Sequence, residues 1–175
     1  MSWAIIEATN LWAGFLRAYY LSASGRARTA SGHRITFAAS TFPNFQGALK
    51  YAVLQWDPKF KKPSVTRRDE PPWHNTKNFL SLFNKLGASN LAGVHKALAY
   101  STTFYELLPT IRNFYAHRCD ETFRKAGNVG IKLGLSAVPN LHATEIMCSK
   151  LSKRPYNVAT DWLDDIGNVI DLLCA

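Results

Sequence analysis

The amino-acid sequence predicts an all-α protein, a bundle of five to seven helices with long irregular connections. Apolar residues recur at helical spacing along most of the chain, and glycine and proline interrupt the segments between these runs. One stretch, residues 33–37, alternates weakly and leaves a loop and a short strand both open. With 175 residues, 47% of them hydrophobic, the chain can bury a substantial core, and we expect one domain.

Two helices are predicted in the first third of the chain. Residues 2–22 carry six apolar side chains at helical spacing, and Gly25 follows as a stop. Residues 45–55 form the second predicted helix, which ends before Asp57 and Pro58. The segment between the two helices is rich in small residues and arginine, so it should be irregular.

Residues 58–74 should form a long surface loop, because four prolines and six basic side chains exclude a regular helix. A loop of this length in a compact domain is either functional or poorly ordered. Its cations would follow a nucleic-acid backbone while Phe60 and Trp73 stack on bases. The alternative is a solvated insertion that Trp73 pins to the core. We expect four of the cations to contact substrate: Lys61, Lys62, Arg67 and Arg68.

Five helices are predicted after this loop: residues 75–86, 90–108, 109–126, 143–151 and 156–173. Gly87 stops the first of them, and Asn90 is suited to cap the N-terminus of the second. Pro109 disfavours a helix in the residue before it and is favourable at the first position of the third, which Gly127 ends. The last helix has its apolar side chains on one stripe and acidic residues opposite.

The chain is strongly basic, with 21 Lys and Arg against 12 Asp and Glu, a net charge of +9. Such an excess favours nucleic acid as the partner over an anionic membrane, because neutralisation of phosphates supplies most of the sequence-independent affinity for nucleic acid. The alternative is a basic surface without a binding function. The three cysteines form no CxxC pair and indicate free thiols in a reducing compartment. No stretch reaches the length of a membrane span and no leader is evident, so we expect a soluble cytoplasmic protein without a cofactor.

The segment 112–117 brings reactive side chains together on one face of the predicted helix 109–126. At ~100° per residue, a cation, a small residue, an amide and an imidazole share an arc of ~140°. These residues are Arg112, Ala116, Asn113 and His117. The opposite side has four apolar residues that can hold the helix in a bundle: Leu108, Ile111, Phe114 and Tyr115.

Such a face suits attack on a phosphodiester. The guanidinium of Arg112 can bind non-bridging oxygens, and the imidazole of His117 can move a proton at neutral pH. Pro109 sets the predicted helix start one turn before Arg112, where unpaired amides would add a weak positive field. Asp120 is the one carboxylate clearly on this face. A single carboxylate provides too few ligands for a divalent metal ion, so we expect no metal there.

The stretch Arg112-Asn113-Phe114-Tyr115-Ala116-His117 resembles the Rx4-6H motif of ribonucleases of the HEPN superfamily, in its short form with a polar residue after the arginine. The resemblance implies a helical bundle that forms a homodimer and cuts RNA without metal by activating the ribose 2′-hydroxyl, leaving 2′,3′-cyclic phosphate and 5′-hydroxyl ends. It further implies that Arg112 stabilises the phosphorane, that His117 transfers a proton, and that Asn113 orients one of them. Many members act in toxin–antitoxin or phage-defence systems, so an antitoxin or a defence partner is implied as well.

The dimer also follows from the chemistry, because 2′-hydroxyl attack needs a base and an acid, and one motif supplies one histidine. We count Arg118 among the substrate-binding residues and expect His33, His95 and His142 to be structural. Two other functions stay open: a non-catalytic HEPN-type module that binds RNA, a nucleotide or a protein, and a helical interaction protein whose acidic last helix docks on a basic partner.

Overall fold

The structure, a computed structural model, describes residues 1–39, 41–100, 103–135 and 141–175. Within these ranges it contains eight helices and no strand, so the all-α prediction is confirmed. The helices are α1 (Ser2–Ser24), α2 (Phe45–Trp56), α3 (Thr76–Leu86), α4 (Leu91–Tyr100), α5 (Thr103–His117), α6 (Asp120–Lys132), α7 (Ala143–Cys148) and α8 (Val158–Cys174). Residues 33–37 form a loop with isolated bridges, in which Arg34 pairs with Arg28 and Phe37 with Ala88.

Capping side chains fix the ends of several helices where the sequence indicates them. Asn75 accepts hydrogen bonds from the first backbone amides of α3, and Gly87 closes that helix in the left-handed conformation, with φ 60°. Asn44 caps α2 in the same way as Asn75 caps α3. Asn90 precedes α4 as predicted, but its side-chain amide donates instead to the Tyr19 hydroxyl at 2.7 Å.

Three predicted boundaries in the second half are wrong. Helix α4 ends at Tyr100 rather than at residue 108; residues 101 and 102, on which part of that prediction falls, lie outside the described residues. Pro109 lies inside α5 instead of at a helix start. Two helices, α5 and α6, occupy the stretch where the single helix 109–126 was predicted, and Gly127 lies inside α6 instead of ending a helix.

Two compact units make up the chain. The first consists of Met1–Trp12 and Ser101–Val169, and the second of Ala13–Tyr100 and Ile170–Ala175. In the first unit, the rings of Trp12 and Phe104 meet edge to face with centroids 5.3 Å apart, and Phe104 is fully buried. The core of this unit therefore anchors the first turn of α5, the helix with the reactive face.

The acidic side chains of α8 do not all face solvent. Asp161 and Asp165 are buried, and Arg154 lies 3.4 Å from an Asp165 carboxylate oxygen. The predicted arrangement, with acids opposite the apolar stripe, is therefore wrong for these two residues. Asp164 and Asp171 are exposed. Because two of its acids are buried, the helix presents less negative surface than its sequence suggests.

The core of the second unit is an aromatic cluster. The rings of Phe79 and Phe83 on α3 lie with centroids 4.6 Å apart, and Phe83 also contacts the ring of Tyr20 on α1. The Tyr20 hydroxyl donates to the Ala48 carbonyl at 2.7 Å, and burial raises the pKa of this phenol. The aromatic rings pack α1 against α3, and the hydrogen bond from Tyr20 to the Ala48 carbonyl connects α1 to α2.

Candidate functional site

The motif residues 112–117 form the C-terminal end of α5. The helix stops at His117, and Arg118 follows with φ 45°, the left-handed conformation, while its amide donates to the Phe114 carbonyl at 2.8 Å. Cys119 is extended, and its backbone amide donates to the Thr122 hydroxyl at 3.1 Å at the start of α6. A two-residue corner thus separates the motif helix from α6.

This corner overturns two expectations about the site. Asp120 is the first residue of α6 and does not share a helix with Arg112, so it is not a member of the reactive face. The start of α5 lies at Thr103, more than two turns before Arg112, so unpaired N-terminal amides do not adjoin the motif. The motif lies instead at the negative end of the α5 dipole, which attracts cations, while α6 begins at Asp120, three residues after His117.

The two faces of α5 are distributed as the spacing predicts. Phe114 and Tyr115 are buried, as are Ile111 about one turn earlier and Leu108 about two turns earlier. On the other side, the motif residues Asn113, Ala116 and His117 are exposed, and Arg112 is half-buried. The reactive face is therefore open to solvent while the apolar face holds the helix in the first unit.

Arg112 and Asn113 are joined by a hydrogen bond. The guanidinium Nη1 donates to Asn113 Oδ1 at 3.3 Å, which restricts the orientation of the arginine fork. In the part of the chain that the structure describes, no carboxylate forms an ion pair with Arg112 or His117. No described carboxylate therefore neutralises the positive charge of Arg112, which can contact a phosphate.

Aromatic packing on the buried side fixes the end of α5. The Phe114 ring lies edge-on to the His142 ring with centroids 5.0 Å apart, and the Tyr115 hydroxyl lies 3.1 Å from Thr144 Oγ1. Burial raises the pKa of Tyr115, so its phenol stays protonated in a structural role. His142 caps α7, with its Nδ1 accepting from the Thr144 amide at 3.2 Å, which agrees with the expected structural role.

Arg118 lines an open pocket of about 270 Å³ together with Phe114, Tyr115 and His142. This pocket lies on the aromatic side of α5, opposite the arc that Arg112 and His117 share. Arg118 therefore lies on a different side of α5 from Arg112 and His117. Its exposed side chain can still contact substrate.

A second, larger pocket of about 400 Å³ runs along the groove between α5 and α6. Glu106 and Thr110 line it from α5, at positions that continue the stripe of Asn113 and His117 at spacings of three and four residues. Lys125 and Lys132 line it from α6. The sequence interpretation missed these lysines, because a single helix 109–126 excludes the hairpin that brings α6 beside α5.

The basic loop 58–74, in the second unit, is ordered by two acidic residues within it. Glu70, whose side chain is only 4% exposed, accepts from Arg17 at 2.6 and 2.9 Å, from Arg67 at 2.7 Å and from Trp73 Nε1 at 2.7 Å. Burial would raise the pKa of Glu70, but these hydrogen bonds and the charge of Arg17 lower it overall. Trp73 is buried, so it pins the loop and does not offer a ring for base stacking.

The four predicted substrate-binding cations of this loop fall into two groups. Lys62 forms an ion pair with Asp69, and Arg67 forms one with Glu70. Lys61 and Arg68 are exposed and form no ion pair with any described residue. Of these four cations, Lys61 and Arg68 are therefore the two whose charge is available to a phosphate backbone.

The Asp69 contacts predict a dependence of stability on acid pH. Hydrogen bonds from Lys62 and Thr66 lower the pKa of Asp69 from 3.8 to about 2. A carboxyl with a lowered folded-state pKa stabilises the fold above its ordinary value, and this contribution is lost as pH falls through the folded-state value. We expect the difference in melting temperature between the wild type and Asp69→Asn to be largest above pH 3.8, to shrink as pH falls towards 2 and to vanish below pH 2. Asp164→Asn is the control, because Asp164 is exposed and forms no ion pair with a described residue. An unchanged difference for Asp69→Asn at low pH would contradict the assignment.

Among the described residues, no three His, Cys, Asp or Glu side chains lie close enough together to hold a metal ion. The same residues include no helix with the length and apolar character needed to cross a membrane. Comparisons with protein-family models, curated proteins and solved structures gave no match to this chain.

Proposed function

We propose that the protein is an RNA endonuclease that cleaves by attack of the ribose 2′-hydroxyl, with Arg112, Asn113 and His117 in its active site. The observation that carries this proposal is the exposed end of α5. There Arg112, which forms no ion pair with a described residue, and the exposed His117 lie at the two edges of one helix face. The basic charge of the chain and the exposed Lys61 and Arg68 support an RNA substrate.

In the proposed reaction, Arg112 binds the non-bridging oxygens of the scissile phosphate and stabilises the charge of the phosphorane. The hydrogen bond to Asn113 holds the guanidinium fork for this contact. His117 takes the proton of the 2′-hydroxyl or donates one to the leaving 5′-oxygen. The 2′-oxygen forms a bond to phosphorus as the bond to the 5′-oxygen breaks, which gives a 2′,3′-cyclic phosphate and a 5′-hydroxyl.

One chain supplies one motif histidine, so the full reaction requires a second copy of the chain. We place the contact with the second copy at the groove between α5 and α6, where Ile131 is 67% exposed. A strictly monomeric protein that cleaves RNA at full rate would contradict the composite site.

The test is incubation of the purified protein with single-stranded RNA in EDTA, followed by analysis of the product ends. We expect cyclic phosphate and 5′-hydroxyl ends, and loss of cleavage in Arg112→Ala and His117→Ala proteins that remain folded. Cleavage that requires added Mg²⁺ would overturn the proposal. A toxin or defence role, with an antitoxin or defence-system partner, is the biological setting that we propose on the resemblance to HEPN ribonucleases.

The second candidate is a module that binds RNA without cutting it. It is favoured by the His117 side chain, which has no hydrogen-bond partner among the described residues to fix its ring. A catalytic histidine is commonly oriented by such a partner. Salt-sensitive RNA binding without any cleavage in EDTA or Mg²⁺ would favour this module over the nuclease.

Both candidates predict that Arg67 and Arg68, which are adjacent in the basic loop, contribute unequally to RNA binding. Each phosphate contact on single-stranded RNA adds about 0.7 to the slope of log affinity against log salt concentration. We expect Arg68→Ala to lower this slope by about 0.7, and Arg67→Ala to lower it less, because Glu70 already pairs with Arg67. Binding titrations at several salt concentrations measure both slopes. Equal losses in the two variants would show that the ion pair does not sequester Arg67.

A further inference from the structure

A pocket in the second unit has the features of a ligand site, and no motif residue lines it. It lies between the end of α2, the end of the basic loop and α3, with a cavity volume of about 60 Å³. Its walls include two tryptophans, two prolines and two polar side chains: Trp56, Trp73, Pro71, Pro72, Asn78 and Lys85. This volume is well below the roughly 300–1,000 Å³ of sites that enclose a whole small molecule, so a ligand would insert only part of itself.

The first indication of a ligand is an unused hydrogen-bond donor. Asn78 Nδ2 is buried and has no hydrogen-bond partner within the described residues. A buried donor without a partner is costly, and native proteins rarely keep one without a reason. The backbone amide of Asn78 is satisfied by Asn75, so only the side-chain donor is left for a ligand.

The other polar groups of the pocket also donate. Lys85 Nζ donates to Gln55 Oε1 at 2.9 Å, which uses one of the three ammonium protons. The Gln55 amide nitrogen is a further donor beside it. A matching ligand should therefore bring acceptors, such as carbonyl oxygens, to these donors, while the Ser81 hydroxyl that also lines the pocket can donate or accept.

The second indication is the exposed ring of Trp56. This indole is 53% exposed at the last residue of α2, where it borders the pocket instead of filling the core. Aromatic rings in such positions are the platforms on which nucleobases stack in single-stranded nucleic-acid sites. Pro71 and Pro72, which belong to the basic loop, add apolar wall.

We propose that this pocket binds a nucleobase of single-stranded RNA, with the base stacked on Trp56 and a base carbonyl accepting a hydrogen bond from Asn78 Nδ2. Uracil fits best, because it is a single ring with two carbonyl acceptors, whereas adenine is larger and has no carbonyl. The loop that supplies Pro71 and Pro72 also has Lys61 and Arg68 exposed for the phosphate backbone. The inference rests on the proposed function only in taking RNA as the partner, since neither Arg112 nor His117 takes part.

The experiment measures binding of short 2′-O-methyl oligouridylate and oligoadenylate strands, which cannot be cut by 2′-hydroxyl attack. We expect the wild type to bind the uridylate more tightly, and Trp56→Ala to weaken that binding about tenfold or more through loss of stacking. Asn78→Leu should abolish the preference for uracil over adenine, because the donor is removed while the apolar wall remains.

Trp3→Ala is the matched control, because Trp3 is 75% exposed and lies in the first unit. It should bind as the wild type does. Since Trp56 is exposed, its replacement should leave the fold intact, and a circular dichroism melt confirms this for each variant. Uridylate binding that Trp56→Ala leaves unchanged, or a wild type that binds both strands equally, would overturn the base site. If the protein binds uridylate as expected but does not cleave RNA, the nuclease proposal is wrong and the base-site proposal is unaffected.

Discussion

Replacing His117 by alanine is expected to lower the rate of RNA cleavage by about 10²–10⁴-fold, the usual contribution of a general acid or base. The residue is exposed at the last position of α5, so its removal takes away the imidazole without disturbing the core. Binding of RNA should persist, because the exposed cations of the basic loop are untouched. Single-turnover cleavage assays with excess protein separate the lost chemistry from any change in affinity.

His95→Ala is the matched control for this prediction. His95 is also exposed and also lies on a helix, α4, but it belongs to no cluster of reactive residues. We expect the His95→Ala protein to cleave RNA at the wild-type rate. If His117→Ala cleaved RNA at the wild-type rate, the assignment of the motif histidine to proton transfer would be wrong.

Replacing Phe104 by alanine should lower the free energy of unfolding by about 3–5 kcal/mol, as expected for a large-to-small change in a packed core. The side chain is fully buried, and its ring contacts Trp12 at 5.3 Å and Tyr105 at 4.9 Å between centroids. These contacts hold the first turn of α5, so the loss should also loosen the helix with the reactive face. Urea denaturation followed by circular dichroism measures the change.

Ile131→Ala serves as the comparison, because this isoleucine of α6 is 67% exposed. Surface substitutions of this kind usually change the free energy of unfolding by no more than about 0.5 kcal/mol in monomeric protein. The core of the first unit would be misassigned if the two variants lost equal stability. A loss at Ile131 that depends on protein concentration would instead report the proposed dimer contact.

The helices with clear local signals could be predicted from the sequence, and the corner between α5 and α6 could not. Asn75 and Gly87 mark the ends of α3 through their own side-chain and backbone chemistry. At Arg118 and Cys119 no glycine or proline interrupts the periodicity. The one local indication was Asp120 with Glu121, since acids favour the first turn of a helix.

The reactive face could be predicted because α5 continues as far as His117, which keeps Arg112, Asn113 and His117 on one helix. The role of the basic loop could not be predicted, because it depends on contacts between residues that are distant in the sequence. Arg17 lies 53 residues before Glu70, and only the folded chain brings them together. The same holds for the buried amide of Asn78, whose missing partner is visible only in three dimensions.

The most direct test of the central claim is cleavage of a 2′-O-methyl RNA strand that contains a single unmodified ribonucleotide, in EDTA. The account predicts one cut, immediately 3′ to the unmodified residue, with a 2′,3′-cyclic phosphate on the upstream fragment and a 5′-hydroxyl on the downstream one. Mass spectrometry of the two fragments identifies both ends. Cleavage at the modified positions, or 3′-hydroxyl and 5′-phosphate ends, would contradict attack by the ribose 2′-hydroxyl.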